Sequence, residues 1–283
     1  MLRVRADRPV DALTVAVLRA VDLVAGELQI KYFIVGAMAR DILLTHVCGI
    51  ETGIGTRDVD LAVAVQLGSQ FEGLKERLIA TGEFQPAQQP HRMFYHARRG
   101  TSGLPLDIIP FRGTEQTGNV LAWPPAMAER MNVVGYEETL AATVQVQIET
   151  SLSVRVASLP GLAMLKIFAW DDRGNANPKD ARDLVTLLRN YARAEEERLY
   201  GEEYKVLETV EHDYVRAGAR LLGCDVRRIA LPATLRQMLH ILDDPRQAER
   251  LVTHMTAELR GIDDNADVAD QLLHEFRTGL AGT

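Results

Sequence analysis

Two aspartates two residues apart, Asp58 and Asp60, lie in Thr56-Arg57-Asp58-Val59-Asp60-Leu61-Ala62-Val63, a run that reads as a strand. Side chains alternate along a strand, so both carboxylates share one face while Val59, Leu61 and Val63 line the other, apolar one. Neighbouring carboxylates repel unless a cation sits between them. Mg²⁺ is the natural occupant, because it prefers hard oxygen ligands and usually arrives with substrate phosphates. Upstream, Ile34-Val35-Gly36-Ala37-Met38-Ala39-Arg40-Asp41 reads as a strand end, a glycine turn and the first turns of a helix. Backbone N–H groups and the positive end of the helix dipole can hold a phosphate at such a turn. A third carboxylate, Asp107, interrupts the otherwise apolar strand Leu104 to Ile109. Brought beside the first pair by sheet pairing, it would ligate a shared metal and help to deprotonate an attacking hydroxyl. Phosphate turn plus strand carboxylates points to phosphoryl or nucleotidyl transfer.

Each residue also has a plainer reading. A solvated strand face produces Asp-x-Asp, an edge strand produces an outward Asp107, and any tight strand-to-helix junction uses a glycine such as Gly36. Arg40, one helical turn beyond the glycine, is placed to reach a triphosphate with its planar fork, or to pair with Asp41 at little energetic consequence. Lysine is scarce, with only Lys31, Lys75, Lys166, Lys179 and Lys205, which makes Lys166 and Lys179 informative. Lys166 lies on the apolar helix Leu162 to Trp170, where it either snorkels to water or neutralises the β and γ phosphates. Asp180, three residues after Asn177, completes a capping box or takes a catalytic or orienting role. Lys179 and Asp183 fit an i,i+4 ion pair, and Arg173 fits either a surface or a phosphate contact.

The elements that must position these residues follow from periodicity and turn chemistry. Apolar positions from Asp11 to Leu28 recur at helical spacing. A strand Tyr32 to Val35 leads into the glycine turn and a helix from Met38 to about His46. A glycine-rich loop, Cys48 to Gly55, precedes the strand Asp58 to Ala64 and a helix from Ser69 to Ala80. Met93 to Ala97 and Leu104 to Ile109 form a hairpin about residues 98–103. Gly113 to Tyr136, with Trp123-Pro124-Pro125, has no clear period and reads as a loop. Ala142 to Ile148 and Leu152 to Val156 form a second hairpin.

From Ser158 onward the pattern is helical. Ser158 is an N-cap and Pro160 suits the first turn of a helix reaching Trp170; Asn177-Pro178 starts another from Lys179 to Tyr191. Further helical segments span Glu195 to Leu222, Pro232 to Leu242, Pro245 to Leu259 and Ala266 to Leu280. The expected organisation is therefore an α+β domain over residues 1–157 and a helical one over 158–283.

A chain of 283 residues with 47% hydrophobic content can bury the cores of two such domains. Its net charge of −7 argues against a broadly basic surface laid along nucleic acid, while leaving room for a local basic groove. Only Cys48 and Cys224 occur, without paired spacing, so neither a disulfide framework nor a zinc site is indicated. Arg3, Arg5 and Arg8 are followed by an amphipathic segment, not by the apolar run of a secretory signal, and no stretch approaches membrane-spanning length. The expected setting is cytoplasmic.

Gly36-Ala37 before a helix, Asp58-x-Asp60 on the next strand and Asp107 on a later one resemble the core of the DNA polymerase β nucleotidyltransferase superfamily. Leu159-Pro160-Gly161-Leu162-Ala163-Met164-Leu165-Lys166, then Arg173, then Lys179-Asp180-Ala181-Arg182-Asp183-Leu184, resemble the abortive-infection (AbiE-type) nucleotidyltransferase toxins. The likeness covers roughly Phe33 to Tyr191. It implies an α+β fold with a nucleotidyltransferase-type mixed sheet, flanking helices and an α-helical C-terminal domain that contributes Lys166 and Asp180 to a cleft. It also implies two Mg²⁺ ions, an NTP such as ATP, transfer to tRNA or a related acceptor, and an antitoxin partner.

Carried over by position, Asp58, Asp60 and Asp107 would be metal ligands. Gly36-Ala37 would be the phosphate turn with Arg40 beside it, Lys166 the triphosphate lysine and Asp180 the active-site aspartate. Many members have Gly-Ser where this chain has Gly36-Ala37, so a phosphate-contacting hydroxyl is absent. Val35 to Asp41 also resembles the Gly-Gly-x-Val-Arg-Asp motif of tRNA CCA-adding enzymes and poly(A) polymerases, but their Arg-Arg-Asp-Phe motif is not found here. A small hydroxylated acceptor, as for an antibiotic-modifying enzyme, suits the acidic net charge. A catalytically degenerate protein that binds nucleotide or a protein partner is the other alternative.

Overall fold

The computed structural model describes residues 1–53, 58–65, 68–97, 103–111, 120–122, 130–174, 176–256, 259 and 265–282. Thr56, Arg57, residues 98–102 of the first expected hairpin turn and Trp123-Pro124-Pro125 lie outside these. The chain divides into two compact units, Met1–Tyr136 with Thr143–Ser158, and Glu137–Ala142 with Leu159–Thr283. No helix among the described residues is long and apolar enough to cross a membrane.

The first unit is built on an eight-stranded mixed sheet. In chain order it comprises β1 (Leu2–Arg3), α1 (Ala12–Glu27), β2 (Lys31–Val35), α2 (Gly36–Asp41), β3 (Val59–Ala64), α3 (Gly68–Ala80), β4 (Phe84–Pro86), β5 (Arg92–Tyr95) and β6 (Leu104–Phe111). There follow β7 (Val120–Ala122), β8 (Arg130–Asn132), β9 (Val144–Glu149) and β10 (Leu152–Val156). The sheet order is β1-β9-β10-β2-β3-β6-β5-β4. At its centre β3 runs antiparallel to β2 and parallel to β6. Val59, Leu61 and Val63 are fully buried, as the alternation requires.

Asp11 caps α1 by accepting from the backbone N–H groups of Leu13 and Thr14, and the helix buries Val17, Leu18, Val21 and Val24. Phe33 of β2 meets Phe111 of β6 edge-to-face at 5.7 Å, which locks the strands flanking β3 into one core. The helix expected from Met38 to His46 begins earlier, at Gly36, and widens into a π-helical segment over Ile42–Val47. Several short elements escape the sequence reading. β4 is a three-residue edge strand too short to show alternation, and β7 and β8 pair as a separate small ladder inside the segment without a period.

The second unit is helical: α4 (Tyr136–Ala141, its last residues), α5 (Leu159–Arg173), α6 (Lys179–Ala194), α7 (Glu196–Tyr200), α8 (Tyr204–Glu208), α9 (Tyr214–Ile229), α10 (Pro232–Asp243), α11 (Pro245–Thr256) and α12 (Asn265–Ala281). α4 joins this unit through a buried hydrogen bond of 2.5 Å from the Thr234 hydroxyl to Glu138. The single helical segment expected from Glu195 to Leu222 is three helices. Glu211 and His212 take left-handed φ values of 55° and 63°, and Asp213 then caps α9 by accepting from the Arg216 N–H.

α9 is the hub of the unit, touching α5, α6, α8 and α12. It approaches its neighbours through bare backbone. A Cβ on Gly218 would lie 2.5 Å from the Ala192 nitrogen of α6, and one on Gly223 would lie 2.1 Å from the Phe276 carbonyl of α12. Beside that crossing, Glu275 is buried and receives Arg216 and Arg220. Gly223→Ala therefore collides with backbone that cannot swing away, and is expected to lower the unfolding free energy by about 1–3 kcal/mol. Gly73→Ala, in α3 with nothing near its added carbon, is expected to raise stability by about 0.5–1 kcal/mol. Urea titration of the two variants checks the contrast.

Candidate active site

The residues of the glycine turn and the aspartate strand meet at one end of the sheet. Gly36, at the β2–α2 junction, has φ +69°, the left-handed region that favours glycine. A Cβ there would stand 2.1 Å from Asp60 Oδ2. The register explains the approach, since Val35 pairs with Asp60 across β2 and β3. The plain tight-turn account of Gly36 is therefore incomplete: the position also needs a residue without a side chain so that Asp60 can keep its place. Ala37 follows at partial burial.

Asp60 pairs in turn with Asp107 across the parallel β3–β6 ladder, so the two carboxylates are in-register neighbours. Asp58 stands just before β3, two residues from Asp60. Asp107 is not an outward residue of an edge strand. β6 has β3 on one side and β5 on the other, and the Asp107 side chain is 13% exposed.

Arg92 of β5 completes the group, and the sequence reading missed it. Its Nε and Nη2 donate to Asp107 Oδ1 and Oδ2, both at 2.7 Å, and Nη2 lies 3.7 Å from Asp58 Oδ2. The hydrogen bond to Asp107, opposed by partial burial and reinforced by the charges of Asp107, Asp58 and Asp60, raises the Arg92 pKa further. Counting outward from the middle of the expected turn sets Phe94 opposite Asp107. The observed register sets Arg92 there instead, with Phe94 opposite Pro105. A correct hairpin register was the one signal that could have found it.

The donors fit a hard divalent cation in kind, being carboxylates on adjacent rigid strands under a glycine that leaves Asp60 room. Among the described residues, no three His, Cys, Asp or Glu side chains form a group able to hold one ion. Both oxygens of Asp107 receive the Arg92 fork.

Arg40, expected either to reach a triphosphate or to pair with Asp41, makes the second contact. It is 1% exposed, and its Nε and Nη2 donate to Asp41 Oδ1 at 2.8 and 2.6 Å. Such a pair is not the inconsequential surface contact of the plainer reading, because removing one partner would strand a buried charge.

The second unit holds its own cluster. Lys166 of α5 is 7% exposed and donates to Asp180 Oδ1 at 2.9 Å; it is also ion-paired with Asp183 of α6. Arg173, at the end of α5, donates from Nε and Nη2 to the two oxygens of Asp180 at 2.7 and 3.1 Å. Lys166 therefore does not snorkel to water. Asp180, fully buried, is no member of a capping box, and the first helical N–H is met by Asn177 Oδ1 instead. Burial opposes the charge on Lys166, yet Asp183 and Asp180 outweigh it and raise the pKa. Burial likewise pushes Asp180 up, while Lys166 and Arg173 bring it down to about 2. The cluster brings together two cations and two anions.

Comparison with known families makes this chain a nucleotidyltransferase. The family model described as nucleotidyl transferase AbiEii toxin, type IV toxin–antitoxin system, matches residues 55–277, and the chain belongs to that family. No curated protein matches.

Three solved structures show distant likeness. One is an antigenic nucleotidyltransferase-like protein from Paracoccidioides brasiliensis, 15% identical over 76% of this chain and 94% of that one, with a TM-score of 0.42. Another is the antibiotic-resistance factor ANT(2'')-Ia, 16% identical over 72% of this chain and 99% of that one, at 0.37. The third is a CCA-adding enzyme in complex with ATP, 14% identical over 92% of this chain and 66% of that one, at 0.32. At such low TM-scores these likenesses carry no part of the assignment, which rests on the family match.

Gly36→Ala is expected to displace the Asp60 carboxylate, so that nucleotidyl transfer falls to background. The backbone conformation itself should cost about 1–2 kcal/mol in urea unfolding. Asp180 has a folded pKa below its ordinary value of 3.8, so its stabilising contribution is complete above pH 3.8 and is lost as pH falls through about 2. Asp180→Asn should therefore flatten the acid limb of the stability curve between those values. At pH 7 it should cost about 3–5 kcal/mol, since Lys166 loses a buried partner. Thermal unfolding across pH measures both effects.

Proposed function

We propose that this nucleotidyltransferase is Mg²⁺-dependent, takes an NTP, and transfers its nucleotide to a hydroxyl of tRNA or a related RNA, acting as the toxin of a toxin–antitoxin pair in the cytoplasm. The observation that carries the reading is the row formed by Asp60 and Asp107 on paired strands, with Asp58 two residues ahead and Gly36 against Asp60. Asp58 and Asp60 would hold the metal, which when bound polarises the phosphates and lowers the pKa of an attacking hydroxyl. Asp107, oriented by Arg92, accepts the proton of that hydroxyl. The acceptor oxygen forms a bond to the α-phosphorus, the bond to the bridging oxygen breaks, and pyrophosphate leaves. The backbone at Gly36-Ala37 serves as the phosphate turn. Lys166 and Asp180 keep the roles that the family likeness gives them, and Arg173, 41% exposed, is the more accessible cation of their cluster.

A small hydroxylated acceptor is the second reading, favoured by the net charge of −7. Incubation with each labelled NTP, Mg²⁺ and either total tRNA or a panel of hydroxylated small molecules separates the two by where the label goes. Asp58→Ala and Asp60→Ala are each expected to bring transfer to background while leaving circular dichroism and the unfolding midpoint near wild type. Retained transfer in either variant removes the mechanism.

A further inference from the structure

The guanidinium of Arg92 stands where a cation is needed, and none of the motifs accounts for it. Arg92 pairs with Asp107 across β5 and β6, and Asp107 pairs with Asp60 across β6 and β3. The three side chains therefore form one row across the sheet, with Asp58 at its border. Fork-on-fork contact at 2.7 Å on both oxygens is the strongest geometry an arginine and a carboxylate can adopt. The arm toward Asp58 is longer, at 3.7 Å, and that carboxylate is about half exposed, with 48% of its side-chain surface accessible. Arg92 thus holds one aspartate tightly and screens a second without closing on it.

We propose that Arg92 is a positioning residue that acts as the intramolecular counter-cation of this site: it fixes Asp107, screens Asp58, and opposes loading of a divalent ion until nucleotide phosphates are present. The proposal rests on the metal-dependent reading above and adds an order of events to it. Three carboxylates and one guanidinium leave a net charge of −2, against −3 without the guanidinium. At separations of a few ångströms that difference weakens the attraction for a divalent ion markedly. An incoming NTP changes the balance in two ways. Its phosphates bring the metal with them, and they offer the guanidinium anionic partners of matching geometry. The lone enzyme would then stay largely metal-free, and the ion would arrive with its substrate.

Mn²⁺ is the probe, with the free ion followed by electron paramagnetic resonance on the full chain in the absence of nucleotide. Arg92→Gln is expected to bind Mn²⁺ about tenfold more tightly than wild type or better. Arg92→Met, which keeps an apolar stem in place, is measured alongside and should behave the same way. Arg92→Lys retains the charge and should stay near wild type. Asp58→Asn added to Arg92→Gln should abolish the gain, and a non-hydrolysable NTP analogue should narrow the gap between wild type and Arg92→Gln. Circular dichroism establishes which variants are folded. Mn²⁺ affinity that is unchanged or weaker in the folded neutral variants overturns the proposal, as does an Arg92→Lys affinity equal to that of Arg92→Gln. Pyrophosphate release by wild type is scored separately. Its absence would count against the transfer reading while leaving the Mn²⁺ ordering to stand or fall on its own.

Discussion

The contact between Gly36 and Asp60 is the constraint on which the first unit's chemistry depends. β2 ends at Val35, opposite Asp60, and the chain must turn into α2 at once. It does so through a residue with positive φ whose missing side chain is the space occupied by a carboxylate oxygen. One position therefore satisfies a backbone requirement and a site requirement together. β3, clamped between β2 and β6, carries the consequence sideways: once Asp60 is placed, its pairing partner Asp107 is placed as well.

Holding like charges close together requires compensation, and the chain does this in two different environments. In the first unit, Arg92 supplies it from β5, between β4 and β6, with 29% of its side chain exposed. In the second, Lys166, Asp180 and Asp183 are almost wholly removed from solvent, and Arg173 closes the group from a more exposed position. Desolvation in the second cluster makes each partner depend on the others, so it behaves as a fixed device. Polar pairs elsewhere in the helical unit belong with the fixed kind. Glu275 beneath Arg216 and Arg220, and Asp225 receiving the Tyr191 hydroxyl and Arg198, tie α12, α9, α6 and the short helix α7 together.

Close approach of backbone also explains how a helical unit with modest side chains at its hub stays specific. Gly218 and Gly223 allow α9 to lie directly on α6 and α12, and Gly279 of α12 returns the favour, its Cβ position falling 2.1 Å from the Arg220 carbonyl. Neighbours then meet at a single register, because a shift by one residue would bring a side chain against a carbonyl. That rigidity fixes α5 and α6 relative to each other, which is what keeps the lysine and the aspartates within hydrogen-bond distance.

Local sequence was enough for the elements whose signals are short-ranged. Strand alternation around Asp58 and Asp60, the glycine at the β2–α2 turn, the Asn177-Pro178 start of α6 and the proline starts of α10 and α11 all act over a few residues, and the α+β order followed from them. Membership of a known family was legible in the chain as well. Register, burial and partner choice were decided only by tertiary structure. Arg92 faces Asp107 across β5 and β6, while Phe94 faces Pro105. Arg40 turns inward to Asp41, and Asp180 gives up a capping role for Lys166 and Arg173. Each of these depends on what a side chain finds several turns or strands away, and the free energy of burying a charge is settled by those distant neighbours, which a linear spacing does not encode.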